Sequence, residues 1–250
     1  MPNTIARVPR TEQEAAASYT RLSKWYDRLG QNSEGPHIAE GLSLLNVQPG
    51  EHVLEVGFGT GRSLIALAHA VGSAGRVIGI DLSPGMIAVA HEQVRKDTVR
   101  ASFPRASGGN PAAQPTTSGF PTASRALGHD NVVFHRGSAL HLPYADASFE
   151  AVFSSFMLDL IDTPDIPIVL NEMRRVLKPG GRAGLVSMSK ACEGNVVVKV
   201  YERFHRWLPK LIDCRPIYLQ HAVEAAGLRC EVQHTRSMWG IPVEIVMATK

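Results

Sequence analysis

Val53-Leu-Glu-Val-Gly-Phe-Gly-Thr-Gly61 is the stretch whose reading decides the fold. A short β-rich run, His52 to Val56, enters a turn with glycine at alternate positions, and an apolar helical stretch, Ser63 to Val71, follows at once. Glycines after a first strand let backbone approach a ligand closely and aim helix N-terminal N–H groups at it. A dinucleotide-binding turn reads G-x-G-x-x-G, whereas this one reads G-x-G-x-G, with Arg62 where the third glycine would fall. Glu55, in the strand before the turn, is a second departure. A carboxylate there repels a pyrophosphate and suits a ligand that carries an ammonium and a sulfonium. Both departures disfavour a nicotinamide oxidoreductase.

Working outward, the alternation of strand and helix continues. Arg76 to Ile80 reads as a second strand, and Pro84 to Lys96 as a crossover helix capped by Ser83. Asn131 to His135 and Phe149 to Ser155 are the third and fourth strands. Pro164 to Leu177 reads as a helix capped by Thr163, with Pro164 as its first residue and Lys178-Pro179-Gly180-Gly181 as its close. Arg182 to Met188 is a fifth strand, Val196 to Leu211 an amphipathic helical segment, and Ile217 to Ala226 a helix stopped by Gly227. Two last β-rich runs, Arg229 to Met238 and Val243 to Ala248, are joined by a link short enough for an antiparallel pair. The pattern predicts a doubly wound α/β fold: a Rossmann-like, mostly parallel seven-stranded sheet, helices on both faces and an antiparallel last strand.

Ahead of this domain (47–250), residues 1–46 read as an N-terminal helical cap. One helix spans Thr11 to Leu29 and is ended by Gly30; a second spans Pro36 to Leu45. Tyr19, Trp25 and Tyr26 fall at helical spacing, as a core stripe or as a lid over a ligand. Between the second helix and third strand, about 98–129, Ala, Ser, Gly, Pro and Thr dominate without an apolar period. Such a stretch buries too little surface to offset its ordering entropy and is expected to be a flexible insertion. It leaves a crossover helix on the face opposite the ligand side, so a catalytic role is not expected, while a regulatory or partner-binding role stays open.

With 250 residues the chain can bury one large core. A net charge of +3, without basic residues clustered among aromatics, gives no reason to expect nucleic acid. No window approaches the roughly 20 apolar residues of a membrane span, and the N-terminus lacks a secretory layout, so a cytoplasmic protein is expected. Cys192, Cys214 and Cys230 are too few and scattered for a disulfide framework, a zinc site or arsenite chemistry, and no metal is expected.

Asp81 ends the second strand about 20 residues beyond the turn, where an acid can accept hydrogen bonds from both ribose hydroxyls. The plainer alternative is a helix N-cap acid. The segments Val53 to Gly61, Gly79-Ile-Asp81, Gly137-Ser-Ala-Leu-His-Leu-Pro-Tyr144, Ser148-Phe-Glu150 and Arg175-Val-Leu-Lys-Pro-Gly-Gly181, in that order, resemble the motifs of class I S-adenosylmethionine-dependent methyltransferases. The resemblance is greatest to the ubiquinone/menaquinone C-methyltransferase branch, from about Tyr19 to the end apart from the insertion. It implies that S-adenosylmethionine is the cofactor. Gly57, Gly59, Thr60 and Gly61 would cradle its methionine part, Glu55 would orient that part, and Asp81 would hold the ribose. Leu82 and Met86 would pack on the adenine, with Ser138 and Ala139 at its edge, Ser155 near the methyl group and Tyr26 closing over the methionine end. The family usually has an acid where this chain has Ser138. A serine oxygen accepts a weaker, uncharged bond, so modestly weaker cofactor affinity is expected, and Ser138→Asp is expected to tighten it.

Methyl transfer from a sulfonium is an in-line displacement driven by alignment and exclusion of water, and it needs a base only if the acceptor holds a proton of high pKa. His205 is the first candidate base, with Tyr201 one turn away on the same helical face; Asp159 and His141 are further candidates. Each has the plainer alternative of a packed or solvated polar residue. The acceptor is expected to be small and lipophilic or aromatic, because Cys192 to Pro216 mixes aromatics with apolar residues as a lid would. A lipid amine or small thiol as acceptor, and a non-catalytic cofactor-binding module, are the alternatives. The sequence is silent on oligomeric state.

Overall fold

A computed structural model of the chain describes residues 7–8, 10–102, 130–190, 197–198, 200–201, 203 and 214–250, with backbone alone at 24–32 and 98–102. Helix α1 (Glu12–Leu45) leads into β1 (His52–Val56), α2 (Arg62–Val71), β2 (Arg76–Asp81) and α3 (Pro84–Ser102). After them come β3 (Val132–Arg136), β4 (Phe149–Ser155), a 3-10 turn at Leu158–Leu160 and α4 (Ile166–Val176). The chain ends with β5 (Leu177–Met188), α5 (Leu219–Ala225), β6 (Arg229–Met238) and β7 (Ile241–Thr249).

The seven strands form one sheet in the order β3-β2-β1-β4-β5-β7-β6. The first five run parallel, and β7 runs antiparallel to both neighbours. Adjacent residues point to opposite faces, and both faces are covered, so the central strands are apolar almost throughout. Leu54, Val152 and Leu185 pack with Leu170 and Met173 of α4 and Val223 of α5. On the other face Val53, Phe153 and Ile245 pack with Leu45 of α1 and Leu64 and Leu67 of α2. The order places a topological switch between β1 and β4, the place where such sheets open a crevice at their carboxyl ends.

Four local expectations change. The two expected N-terminal helices are one, 34 residues long, with Pro36 inside it. An internal proline forfeits a hydrogen bond and an internal glycine costs about 1 kcal/mol, yet the helix continues because its last turns are buried on the sheet. Leu42 and Leu45 are in the core, and a Cβ on Gly41 would lie 2.7 Å from Val186 Cγ2. Its start follows a capping box, with Glu14 N–H on Thr11 Oγ1 at 3.2 Å and Thr11 N–H on Glu14 Oε2 at 2.8 Å. Helix α4 starts at Ile166 instead of Pro164, and the proline in its first turn is Pro167. Thr163 does not cap it, and its hydroxyl oxygen accepts from Arg215 Nη2 at 3.0 Å.

Lys178 to Gly181 does not close a helix as a free turn either. It is absorbed into β5 as an irregularity, the pairing stepping from Phe149 opposite Leu177 to Ala151 opposite Arg182, with Gly180 at φ +75°. Helix α3 runs to Ser102, into the stretch composition assigned to the insertion; residues 103–129 lie outside the described residues. Within the expected 196–211 helix, Val197, Val198, Val200, Tyr201 and Arg203 are helical and the others lie outside the described residues. No described helix is long and apolar enough to cross a membrane.

Candidate active site

The loops after β1, β2, β3 and β4 converge on a cavity of about 220 Å³, which Val8, Arg10, Thr11 and residues of α1 also line. The glycine turn forms its floor. Gly57, Gly59 and Gly61 have φ of +73°, +53° and +84°, a region where L side chains are strained. A Cβ on Gly57 would lie 2.5 Å from Met157 Cγ, and one on Gly61 2.7 Å from Ala90 Cβ. Gly57 N–H donates to Ile80 O at 2.8 Å and Gly61 N–H to Phe58 O at 2.9 Å, so these two amides serve the turn itself. Beside it Thr60 also lines the cavity.

Asp81 faces this turn from the end of β2. Gly59 N–H donates to its Oδ2 at 2.9 Å and Ser83 N–H to its Oδ1 at 2.8 Å. Burial pushes its carboxyl above the ordinary range, with the Ser83, Gly59 and Leu82 amides opposing. Each carboxylate oxygen keeps a further lone pair for an incoming donor. Leu82, Met86 and Ala139 line the wall next to Asp81, and Ser155 lines the far end with Phe156 and Met157.

Glu55 is not on the wall. It is buried beneath Ser63, whose hydroxyl donates to Glu55 Oε1, and its Oε2 has no hydrogen-bond partner among the described residues. Burial pushes this carboxyl to about 8, with Ser63 opposing and the Asp81 charge adding. Ser138 lies beside the wall residue Ala139, accepting Leu140 N–H at 3.0 Å and donating to Glu12 Oε1.

Of the expected catalytic residues, the described ones, Asp159, Tyr201 and His141, are not on the wall. Asp159 is wholly buried behind it, with Met188 N–H 3.4 Å from Oδ2 and Oδ1 unpartnered among the described residues. Burial raises its carboxyl to about 7, with the Met188 amide opposing and the Glu34 charge adding. The Tyr201 hydroxyl donates to Cys214 O at 3.2 Å and sits 3.0 Å from Cys214 Sγ. His141 is exposed. His205, and the side chain of Tyr26, lie outside the described residues.

Sequence reasoning missed Glu34, Glu12 and Ser63, all on the cavity wall. Glu34 makes no hydrogen bond among the described residues, and burial pushes its carboxyl to about 7. It fell in the supposed break between two helices, so no helical face was assigned to it. Ser63 could have been found as the second residue of α2, one turn from Glu55's end of the strand.

The fold and this site define a doubly wound α/β domain with a glycine turn after its first strand, a buried acid beneath that turn and a second acid facing it from the end of β2. A family model described as "Methyltransferase domain" matches residues 54–185, more than half of the chain, and the chain belongs to that family. It is similar to the demethylmenaquinone methyltransferase of Lactobacillus johnsonii, 27% identical over 203 residues, covering 79% of this chain and 70% of that one. Across the first such relatives the chain spans between 47% and 70% of their length. Among solved structures, an S-adenosylmethionine-dependent methyltransferase from Aquifex aeolicus superposes with a TM-score of 0.59 at 20% identity, covering 92% of this chain and 97% of that one. The cyclase SpnF superposes with a TM-score of 0.68 at 18% identity, covering 99% of each chain. At these identities the structures establish a shared fold, and the SpnF likeness shows that one fold carries more than one chemistry.

The methyl donor of this family domain is S-adenosylmethionine, and the residues present suit it. Glu55 carries a buried carboxyl oxygen without a partner among the described residues, suited to a donor or cation, and the space beside Gly59, where a Cβ would meet nothing within 4 Å, leaves room for a close ligand.

Proposed function

We propose that the domain transfers the methyl group of S-adenosylmethionine to a small lipophilic or aromatic acceptor, a quinone-type ring being the favoured class. The single observation that carries this is the composition of the cavity's far end. Ile38, Phe156, Met157, Leu160 and Ile161 line it with apolar side chains, beside the carboxyls of Glu34, Asp162 and Asp165. The name of the Lactobacillus johnsonii relative supports the quinone class.

The cofactor supplies an electrophilic methyl group already activated as a sulfonium. Glu55, through Ser63, and the turn Gly57, Gly59, Thr60 and Gly61 would hold its methionine part; Asp81 would hold the ribose; Leu82, Met86, Ala139 and Ser138 would frame the adenine. Ser155 would border the transferring group, and Tyr26 would close over the methionine end. The apolar wall would exclude water and align the acceptor. Where the acceptor carries a phenolic proton, Glu34 is well placed to take it, since a base works best with a pKa near the operating pH. His205, Tyr201 and Asp159 stay as candidates, the Asp159 carboxyl being raised chiefly by burial and further by the Glu34 charge. A cytoplasmic placement goes with this reading.

The test is to incubate the protein with methyl-labelled S-adenosylmethionine and a panel of reduced naphthoquinones, catechols, lipid amines and thiols, and to analyse products by mass. Label in the quinols or catechols is expected. Label only in amines or thiols would replace the acceptor class, and tight cofactor binding without any transfer would leave a binding module.

A further inference from the structure

The N-terminal segment lies across the cavity and is fastened on both sides. Arg7 grips Asp162 with two nitrogens, Nε to Oδ1 at 2.8 Å and Nη2 to Oδ2 at 2.6 Å, and Val8 N–H adds a bond to Oδ1 at 3.0 Å. Further on, the Thr20 and Ser83 hydroxyls are 3.0 Å apart, and Gly85 N–H lies 3.3 Å from Thr20 Oγ1. The capping box between these anchors makes Glu12 the first residue of α1 and sets it on the cavity wall. There a short relay fixes it. Leu140 N–H donates to Ser138 Oγ, and the Ser138 hydroxyl donates to Glu12 Oε1. Glu12 Oε2 makes no hydrogen bond among the described residues.

The location says what that second oxygen is for. Asp81 marks the ribose position, and the adjoining apolar wall is Leu82, Met86, Ala139 and Leu140. A flat base joined to the ribose and lying in that slot presents its rim to the 138–140 loop, and so to Glu12. A carboxylate only accepts hydrogen bonds. The exocyclic amino group of adenine donates, whereas the carbonyl at the same place in hypoxanthine only accepts and would face the carboxylate oxygen unpaired.

We propose that Glu12, held in place by Ser138, reads the amino group of the adenine, so that the nucleobase selectivity of the cofactor site comes from the N-terminal helix and not from the loop after β3. This rests on the cofactor reading above. Glu12 is the specificity residue and Ser138 its positioning residue.

Calorimetry with S-adenosylhomocysteine and its inosine counterpart tests this without requiring an acceptor. The wild-type chain is expected to prefer the adenine compound by about thirtyfold, the scale of one charge-assisted hydrogen bond replaced by a repulsive contact. Glu12→Ala is expected to weaken adenine binding about tenfold. Glu12→Gln is expected to bring the preference below about threefold, because an amide can turn either its oxygen or its nitrogen to the base. Ser138→Asp tightens adenine binding only in the Glu12→Gln background; alone it sets two carboxylates against each other. Glu12 is exposed, so melting temperatures should stay close to wild type and separate a binding loss from a folding loss.

If the wild-type chain binds neither compound, the cofactor reading itself falls. If it binds the adenine compound and the preference survives in Glu12→Gln, this proposal is overturned while the cofactor reading stands. Asp165 is another wall carboxylate, and loss of the preference in Asp165→Asn but not in Glu12→Gln would assign the reading to Asp165 instead.

Discussion

At the β1–β2 end of the cavity Asp81 has both carboxylate oxygens tied to backbone amides, while at the β4 end Glu34 hangs from a helix with no hydrogen bond among the described residues. The first carboxylate is held by main chain that cannot rearrange without unmaking the glycine turn. The second is held only by the packing of α1 against the sheet. A fixed acid suits a ligand that is always the same, such as a cofactor. An acid surrounded by apolar side chains suits a ligand whose proton it must take, because burial and not pairing sets its affinity for protons. The difference predicts that damage at one end reads out in cofactor binding and damage at the other in turnover.

The strongest way to break the comparison is Gly57→Ala. Its φ of +73° and the 2.5 Å approach to Met157 Cγ combine backbone strain with overpacking, and each costs about 1–3 kcal/mol. A fall in melting temperature of many degrees together with loss of cofactor binding is expected, since this turn joins β1 to α2 and its Gly57 N–H is bonded to Ile80 O of β2. A well-folded Gly57→Ala chain with wild-type Kd would show that the turn is not a rigid floor.

Next in size are two opposed substitutions. Asp81→Ala removes acceptors for two hydroxyl donors and should raise the Kd for S-adenosylhomocysteine about a hundredfold, at 1.5–3 kcal/mol for hydrogen bonds to a charged group. Glu34→Gln should leave that Kd within about twofold and lower turnover on a phenolic acceptor about a hundredfold, the usual scale of a lost general base. Calorimetry and single-turnover kinetics on the two variants check both numbers. Equal losses in both measurements for either variant would erase the division between the ends.

The same division explains what could be read from the chain alone. Strand and helix alternation, the glycine spacing and Asp81 are local patterns, and the structure places them as a parallel sheet with a turn that has no room for a Cβ at Gly57 or Gly61. Tertiary burial decided the rest. Gly30 and Pro36 are ordinary helix stops by propensity, but Leu42 and Leu45 on the sheet keep α1 continuous, and that continuity is what brings Glu34 to the wall. Thr163 looks like an N-cap until Arg215, distant in sequence, takes its hydroxyl oxygen. Glu12 and Ser138 are 126 residues apart, and neither carries a local signal that they meet.

The smallest effect expected is a proton. Glu55 ionises near its ordinary value of 4.5 in the unfolded chain and near 8 in the fold, as burial dictates. Its contribution to stability is therefore complete below about pH 4.5 and is lost as pH rises through 8. Asp159 and Glu34, raised to about 7, act in the same direction. The ligand-free chain should melt at progressively lower temperature from pH 5 to pH 8, and Glu55→Gln should flatten the upper part of that slope. Now let a ligand bring an ammonium to the unpartnered Glu55 Oε2, as the proposed cofactor would. The charged form of Glu55 is favoured, its pKa drops, and at pH 7 the site must release a proton, close to one per molecule bound. Titrating S-adenosylhomocysteine into the protein in phosphate and in Tris at pH 7 should give enthalpies that differ by nearly the difference in buffer ionisation enthalpy. The difference should vanish in Glu55→Gln and persist in Glu34→Gln, because Glu34 belongs to the other end. If instead the Glu34 variant abolishes it, the proton resides at the acceptor end, and the two carboxylates have exchanged the roles their surroundings assign them.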